Sequence, residues 1–143
     1  MKTTNSGSAS YRGLGKDGKG HVSTGSGALS EQPYGFNTRF EDAPGTNPEE
    51  LIAAAHASCF TMALSFKLAE AGFTDGSIET EADVTLEKQD GGFTVTKSAL
   101  STTGKVEGLD RSKFEELAAD AKENCPISKL LDCEITLDTE FEG

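Results

Sequence analysis

The sequence predicts an α+β fold that is complete only as an intertwined homodimer. Two observations carry this expectation. Residues 51–66 hold no charged side chain, only Leu, Ile, Ala, Cys, Phe and Met with His56, Ser58, Thr61 and Ser65 between them. Two later segments, from Ile78 to Glu87 and from Leu131 to Phe141, alternate apolar and polar residues with the period of a strand. A helix that is apolar nearly all round must be covered on every side. One small sheet cannot cover a rod of roughly 24 residues, about 36 Å long, so a second subunit is expected to supply the rest. The length of 143 residues suits a single domain over 1–143.

The elements are expected in the following order. Residues 1–46 form an N-terminal β-hairpin and loop: Ala9-Ser10-Tyr11-Arg12 and Gly20-His21-Val22-Ser23-Thr24 flank Gly15-Lys16-Asp17-Gly18, a hairpin with an Asp-Gly turn. Gln32-Pro33-Tyr34-Gly35-Phe36-Asn37-Thr38-Arg39-Phe40 follows as a loop that no periodicity describes. The central helix is placed at 47–71. Asn47 caps it, Pro48 suits its first position, Glu49 and Glu50 complement its dipole, and Glu50 occupies the capping-box position. Gly72 fits the left-handed position after the last turn, with Phe73 returning to Leu68 in a Schellman motif. A second hairpin is expected over 77–107. Ile78, Thr80, Ala82, Val84 and Leu86 line one face, and the turn falls at Lys88-Gln89-Asp90-Gly91-Gly92. A second helical segment, 110–131, starts at an Asp110 cap with Leu109 and Phe114 at staple positions and restarts at Pro126. A closing strand over 132–142 completes the chain.

Composition excludes several classes of partner. Thirteen Lys and Arg against 24 Asp and Glu leave a net charge of −11, which repels phosphate backbones and anionic lipid surfaces. No nucleic-acid or membrane partner is expected. The longest unbroken apolar run, 51–55, falls far short of a bilayer span. The N-terminus lacks the apolar stretch of a secretory signal. Three cysteines with no CxxC pair argue for thiols kept reduced in a cytoplasm rather than for a disulfide framework.

The cysteines differ in context. Cys133 lies on the apolar side of the closing strand and reads as structural. Cys125 ends one helix and precedes Pro126 at a possible N-cap, so both an inert and a reactive role stay open. Cys59 sits mid-helix, too far from Pro48 for the helix dipole to lower its pKa, and burial alone would leave it protonated. A reactive Cys59 therefore needs a cation from another segment. Of the three arginines, Arg12, Arg39 and Arg111, Arg39 in the aromatic loop is the best placed in sequence, with Arg12 a further candidate. His56 and Cys59 share a helical face, but the ligand density of ordinary zinc sites is missing, and no metal site with Cys125 is expected. His56 is expected to pack inside the dimer with one ring nitrogen hydrogen-bonded.

Gly45-Thr46-Asn47-Pro48-Glu49-Glu50-Leu51, continued by Ala53-Ala54-Ala55-His56-Ala57-Ser58-Cys59-Phe60, resembles the signature of the OsmC/Ohr family of thiol peroxidases. Asn124-Cys125-Pro126-Ile127-Ser128 resembles its second-cysteine motif, and the 32–40 loop is similar to that of the osmotically inducible OsmC branch. The resemblance covers essentially the whole chain. It implies antiparallel sheets wrapped around long central helices in a homodimer. It implies a peroxidase acting on organic hydroperoxides and less efficiently on hydrogen peroxide, in defence against oxidative and osmotic stress. Cys59 matches the peroxidatic cysteine, Cys125 the resolving cysteine, Arg39 the thiolate-stabilising arginine and Glu49 the glutamate that orients it. No cofactor or metal is implied. The reductant would be an external dithiol, for which the resemblance points to a lipoylated protein.

Two further expectations rest on chemistry. Ten helical residues rise about 15 Å, so Glu49 and Cys59 of one helix cannot share an ion cage directly: either Arg39 spans the gap or one of the two arrives from the partner subunit, and a site at the dimer interface is expected. Phe36, Phe40, Phe60 and Met62 offer apolar walls that would favour alkyl or fatty-acid hydroperoxides. The alternative to an enzyme is a redox-sensing or small-ligand-binding module that uses the same cysteine pair as a switch.

Overall fold

The computed structural model describes all residues 1–143. They group into two compact units, 1–51 and 52–143. In the first unit β1 (Gly7–Arg12) pairs antiparallel with β2 (Lys19–Thr24) around a single 3-10 turn at Gly15–Asp17. The 32–40 segment is more regular than its sequence suggests. β3 (Gln32–Tyr34) adds to β2 as a third antiparallel strand, and α1 (Phe36–Phe40) follows. Local bonds impose this order where no periodicity signals it. The Thr38 hydroxyl accepts from the Gly35 N–H at 2.8 Å, and Pro33 gives its carbonyl to the Thr46 N–H at 2.9 Å.

α2 (Pro48–Glu70) has the expected ends. The Asn47 side chain accepts the Glu50 N–H at 2.8 Å. The Glu50 carboxylate does not return to the cap backbone; it accepts the Thr46 hydroxyl at 2.7 Å. At the other end Gly72 has φ +97°, and Phe73 N–H to Leu68 O and Gly72 N–H to Ala69 O complete the Schellman pair.

The second unit is a sheet of order β4-β5-β6 carrying helices. β4 (Ser77–Gln89) and β5 (Gly92–Lys105) form the long antiparallel hairpin, with a bulge at Thr85/Leu86. α3 (Arg111–Asn124) starts at the Asp110 cap, whose carboxylate accepts the Lys113 N–H, and α4 (Pro126–Leu130) follows directly. β6 (Glu134–Glu142) then pairs parallel to β5, the one pairing that departs from the expected antiparallel sheets. The reason is the connection: α3 and α4 carry the chain back to the level where β5 began, and a helical crossover delivers the next strand in the same direction.

The core joins Phe60, Leu64 and Leu68 of α2 to Leu100 of β5 and to Phe114, Ala118 and Ala121 of α3. Hydroxyls of Thr61, Thr80 and Thr102 link α2 to β4 and β5 at 2.7 and 2.9 Å. Only His56, Phe60, Leu64 and Leu68 of α2 are buried, one residue per turn along a single stripe. Met62 and Phe66 lie off it, 62% and 64% exposed. By length and mean hydropathy, 1.4, α2 passes as a membrane span. His56 and the hydroxyl residues interrupt its apolar runs without making the helix polar.

Candidate active site

Within residues 1–51 the first turn of α2 faces α1. Arg39 donates from Nε to Glu49 Oε1 at 2.7 Å and from Nη2 to Oε2 at 2.8 Å, a bidentate fork that fixes the plane of the guanidinium. The bond to Glu49 raises the Arg39 pKa above its ordinary value, so this cation is permanent. Asn47 braces the same junction by donating to the Thr38 carbonyl at 3.1 Å. Beside the fork lies a cavity of about 390 Å³ lined by Tyr11, Lys16, Tyr34, Phe36, Arg39 and Phe40 among others. The Lys16 ammonium stands 5.0 Å from the Phe36 ring centre, and the Arg39 guanidinium 5.5 Å from that of Phe40. The cavity is thus aromatic in its walls and cationic at two points.

Within residues 52–143 Cys59 stands beside Cys125 and the Ile127 backbone. Burial is the leading influence on Cys59 and pushes its pKa up; the Ile127 backbone opposes the rise and Cys125 adds to it. Nothing cationic in this unit offsets it. Cys125 is 1% exposed and closes two helices at once. Its N–H bonds Ala121 O at the end of α3, and its sulfur accepts the Ser128 N–H at 3.3 Å at the start of α4. Pro126 makes this possible: it cannot continue α3 but suits the first position of α4. All three cysteines are free. Cys133 is half-buried just before β6, its pKa raised first by burial.

Two expectations are corrected. Phe60 is fully buried in the core, so it packs the fold and offers no wall to a ligand; Met62 lies on the exposed side of α2. Of the proposed apolar walls, Phe36 and Phe40 line the aromatic cavity, while Met62 borders a separate open groove along α2 with Ser58, Thr61 and Ser65. His56 has both ring nitrogens bonded within one chain, Nδ1 to Ser98 Oγ at 2.6 Å and Nε2 to Ser128 Oγ at 2.8 Å. A second subunit is not needed to satisfy it, and neither nitrogen is left for a metal. No local feature of the sequence marks Ser98 or Ser128 as a partner of His56. The signal was a lone histidine in an uncharged helix, since a buried imidazole requires two polar partners.

Residues 40–140 match the family described as OsmC-like protein. The chain is 57% identical over 137 residues, 96% of each chain, to peroxiredoxin OsmC of Escherichia coli. It is 36% identical over 111 residues to organic hydroperoxide resistance protein OhrB of Bacillus subtilis, covering 77% of this chain and 79% of that one. The crystal structure of OhrB of Bacillus subtilis superposes with a TM-score of 0.67 at 30% identity, covering 96% of this chain and 98% of that chain. An OsmC-like protein of unknown function from Vibrio cholerae reaches 0.77 at 18% identity, with 96% and 99% coverage, and speaks for the fold alone.

Proposed function

The chain belongs to the OsmC-like protein family and is a thiol-dependent peroxidase, and on that premise we propose that it reduces organic hydroperoxides to alcohols through a Cys59 sulfenate and a Cys59–Cys125 disulfide. The observation that supports this most is that Cys125 stands close enough to Cys59 to raise its pKa, because closing a disulfide requires the sulfurs to meet. The Cys59 thiolate attacks the distal oxygen of ROOH, the O–O bond breaks, and the alkoxide leaves as alcohol after taking a proton. Cys125 then displaces the oxygen of the Cys59 sulfenic acid as water. An external dithiol reduces the disulfide; a lipoylated protein is the reductant proposed.

The magnitudes assign work to Arg39. A thiol of ordinary pKa is a few per cent ionised at pH 7, so full ionisation supplies about thirtyfold, roughly 2 kcal/mol. Burial of Cys59 makes that deficit larger. A fixed guanidinium offsets it and also donates to the leaving oxygen. Glu49 fixes Arg39 at the start of α2, about 15 Å of helix rise from the Cys59 of its own chain. The Arg39–Glu49 pair of one subunit is therefore assigned to the partner subunit's Cys59, across a homodimer that also covers Met62 and Phe66. The aromatic cavity with Phe36 and Phe40 favours alkyl over small polar peroxides. Three unbridged thiols fit a reducing, cytoplasmic setting.

The test is steady-state peroxidase turnover with cumene hydroperoxide and dihydrolipoamide. Cys59→Ser is expected to abolish turnover, and Cys125→Ser to stop after one equivalent with sulfenate on Cys59. Consumption of one peroxide per subunit with no turnover, dithiol present, would replace the enzyme with a redox switch.

A further inference from the structure

Cys125 has a polar neighbour besides Cys59. Ser128 Oγ lies 3.2 Å from the Cys125 sulfur, and beyond it stand His56 and Ser98, a buried line from the sulfur into the sheet. Polar side chains are not required to fill that space, since apolar side chains fill the adjoining core. We propose that His56 is a positioning residue for disulfide closure, taking up through Ser128 the proton that the Cys125 thiol must lose to attack the oxidised Cys59. The inference rests on the peroxidase reading above.

A neutral imidazole donates from one nitrogen and accepts at the other. His56 is fully buried and its pKa is lowered by burial alone, so at neutral pH it is uncharged and able to accept. Burial is the one influence resolved on its ionisation; the thiols near it are Cys59 one turn along α2 and Cys125 through Ser128. When Cys125 carries its proton, one direction of the line gives that proton an acceptor. The thiol donates to Ser128 Oγ, the Ser128 hydroxyl donates to His56 Nε2, and His56 Nδ1–H donates to Ser98 Oγ. The Ser128 N–H bond at 3.3 Å holds the sulfur in place throughout.

During closure the Cys125 sulfur gives an electron pair to the Cys59 sulfur, and the S–O bond of the sulfenic acid breaks. Cys125's proton passes to Ser128 Oγ while Ser128's own proton passes to Nε2. The buried imidazolium is disfavoured and releases the proton to the departing hydroxide, which leaves as water. The sum is one sulfenic acid plus one thiol giving one disulfide plus water, with no oxidant beyond the peroxide.

The test separates this step from the one before it. Full-length protein is mixed with one equivalent of cumene hydroperoxide, quenched with an alkylating agent, and sulfenate and disulfide are counted by mass spectrometry. In His56→Gln and Ser128→Ala, sulfenate formation on Cys59 is expected to stay within about twofold of the unmodified protein, while closure slows about a hundredfold. Ser128→Thr, which keeps the hydroxyl, restores closure. Closure in the unmodified protein is level above about pH 6.5, whereas in Ser128→Ala it climbs with pH toward the free-thiol range. Folded variants that close at the normal rate with the normal pH profile overturn the proposal. Nitrogen-15 NMR of the reduced, unmodified protein tests it without any variant: Nε2 is expected unprotonated, and a proton on Nε2 overturns it. If the unmodified protein makes sulfenate but no disulfide to Cys125, the peroxidase cycle falls as well; slow closure confined to the variants leaves both standing.

Discussion

Arg39 and Glu49 are joined by two parallel bonds of 2.7 and 2.8 Å across ten residues of sequence, with the Glu49 side chain 12% exposed. The pair ties α1 to the first turn of α2 and uses two of the five guanidinium donors, leaving three for another acceptor. Its net contribution to stability is of the modest order of surface pairs, about 1 kcal/mol or less. Its consequence is directional: it presents a permanent cation in one fixed plane at the start of the helix.

Arg39→Lys keeps the charge but loses the fork. Peroxide reduction by Arg39→Ala is expected to fall at least about thirtyfold at pH 7, the ionisation share alone. Arg39→Lys should fall between that and the unmodified protein, and Glu49→Gln about tenfold through looser aim. Thiolate titration at 240 nm checks the cause: the Cys59 pKa should rise most in Arg39→Ala. An unchanged Cys59 titration in that variant would remove Arg39 from the site.

Mixing two inactive variants distinguishes a site within one chain from a shared one. Cys59→Ser supplies an intact Arg39 and Arg39→Ala an intact Cys59. After subunit exchange at equal amounts, about half the dimers are mixed and each has one complete site, so about a quarter of full activity should return. No recovery, despite exchange shown by native mass spectrometry, would place Arg39 and Cys59 of one chain together.

His56 links stability to pH. Its folded pKa lies below the ordinary 6.5, so the unfolded chain binds the proton first. The stabilisation is fully present above about pH 6.5 and is lost as pH falls toward the lower folded value, at up to about 1.4 kcal/mol per pH unit. Urea unfolding at pH 7 and pH 5 should show this loss in the unmodified protein and a smaller one in His56→Gln. An equal loss in both would rule His56 out as its source.

Gly104 on β5 lies flat against the Phe114 ring, where an added Cβ would run into ring carbons. Phe114 cannot yield, because it stacks on Phe141 at 4.7 Å between centroids. Gly104→Ala is expected to destabilise by about 1–3 kcal/mol, read as a lower urea midpoint with an unchanged slope. A neutral effect would mean that the aromatic pair repacks freely.

The sequence by itself determined the elements whose signals are local. Asn47, Pro48 and Gly72 marked the ends of α2, Asp110 capped α3, and alternation from Ile78 to Leu86 gave β4, because caps, positive φ and strand period depend on residues close in the chain. The missing charge of 51–66 likewise announced a helix that one sheet leaves partly bare. Tertiary structure alone decided what depends on distant residues meeting. It made β6 parallel, since only the path of α3 and α4 sets that direction. It buried Phe60 while leaving Met62 outside, because an apolar helix does not declare which stripe meets its sheet. And it set His56 between Ser98 and Ser128, 42 and 72 residues away, partners that no spacing rule connects and only the packing of α2 against β5 and α4 brings within hydrogen-bond reach.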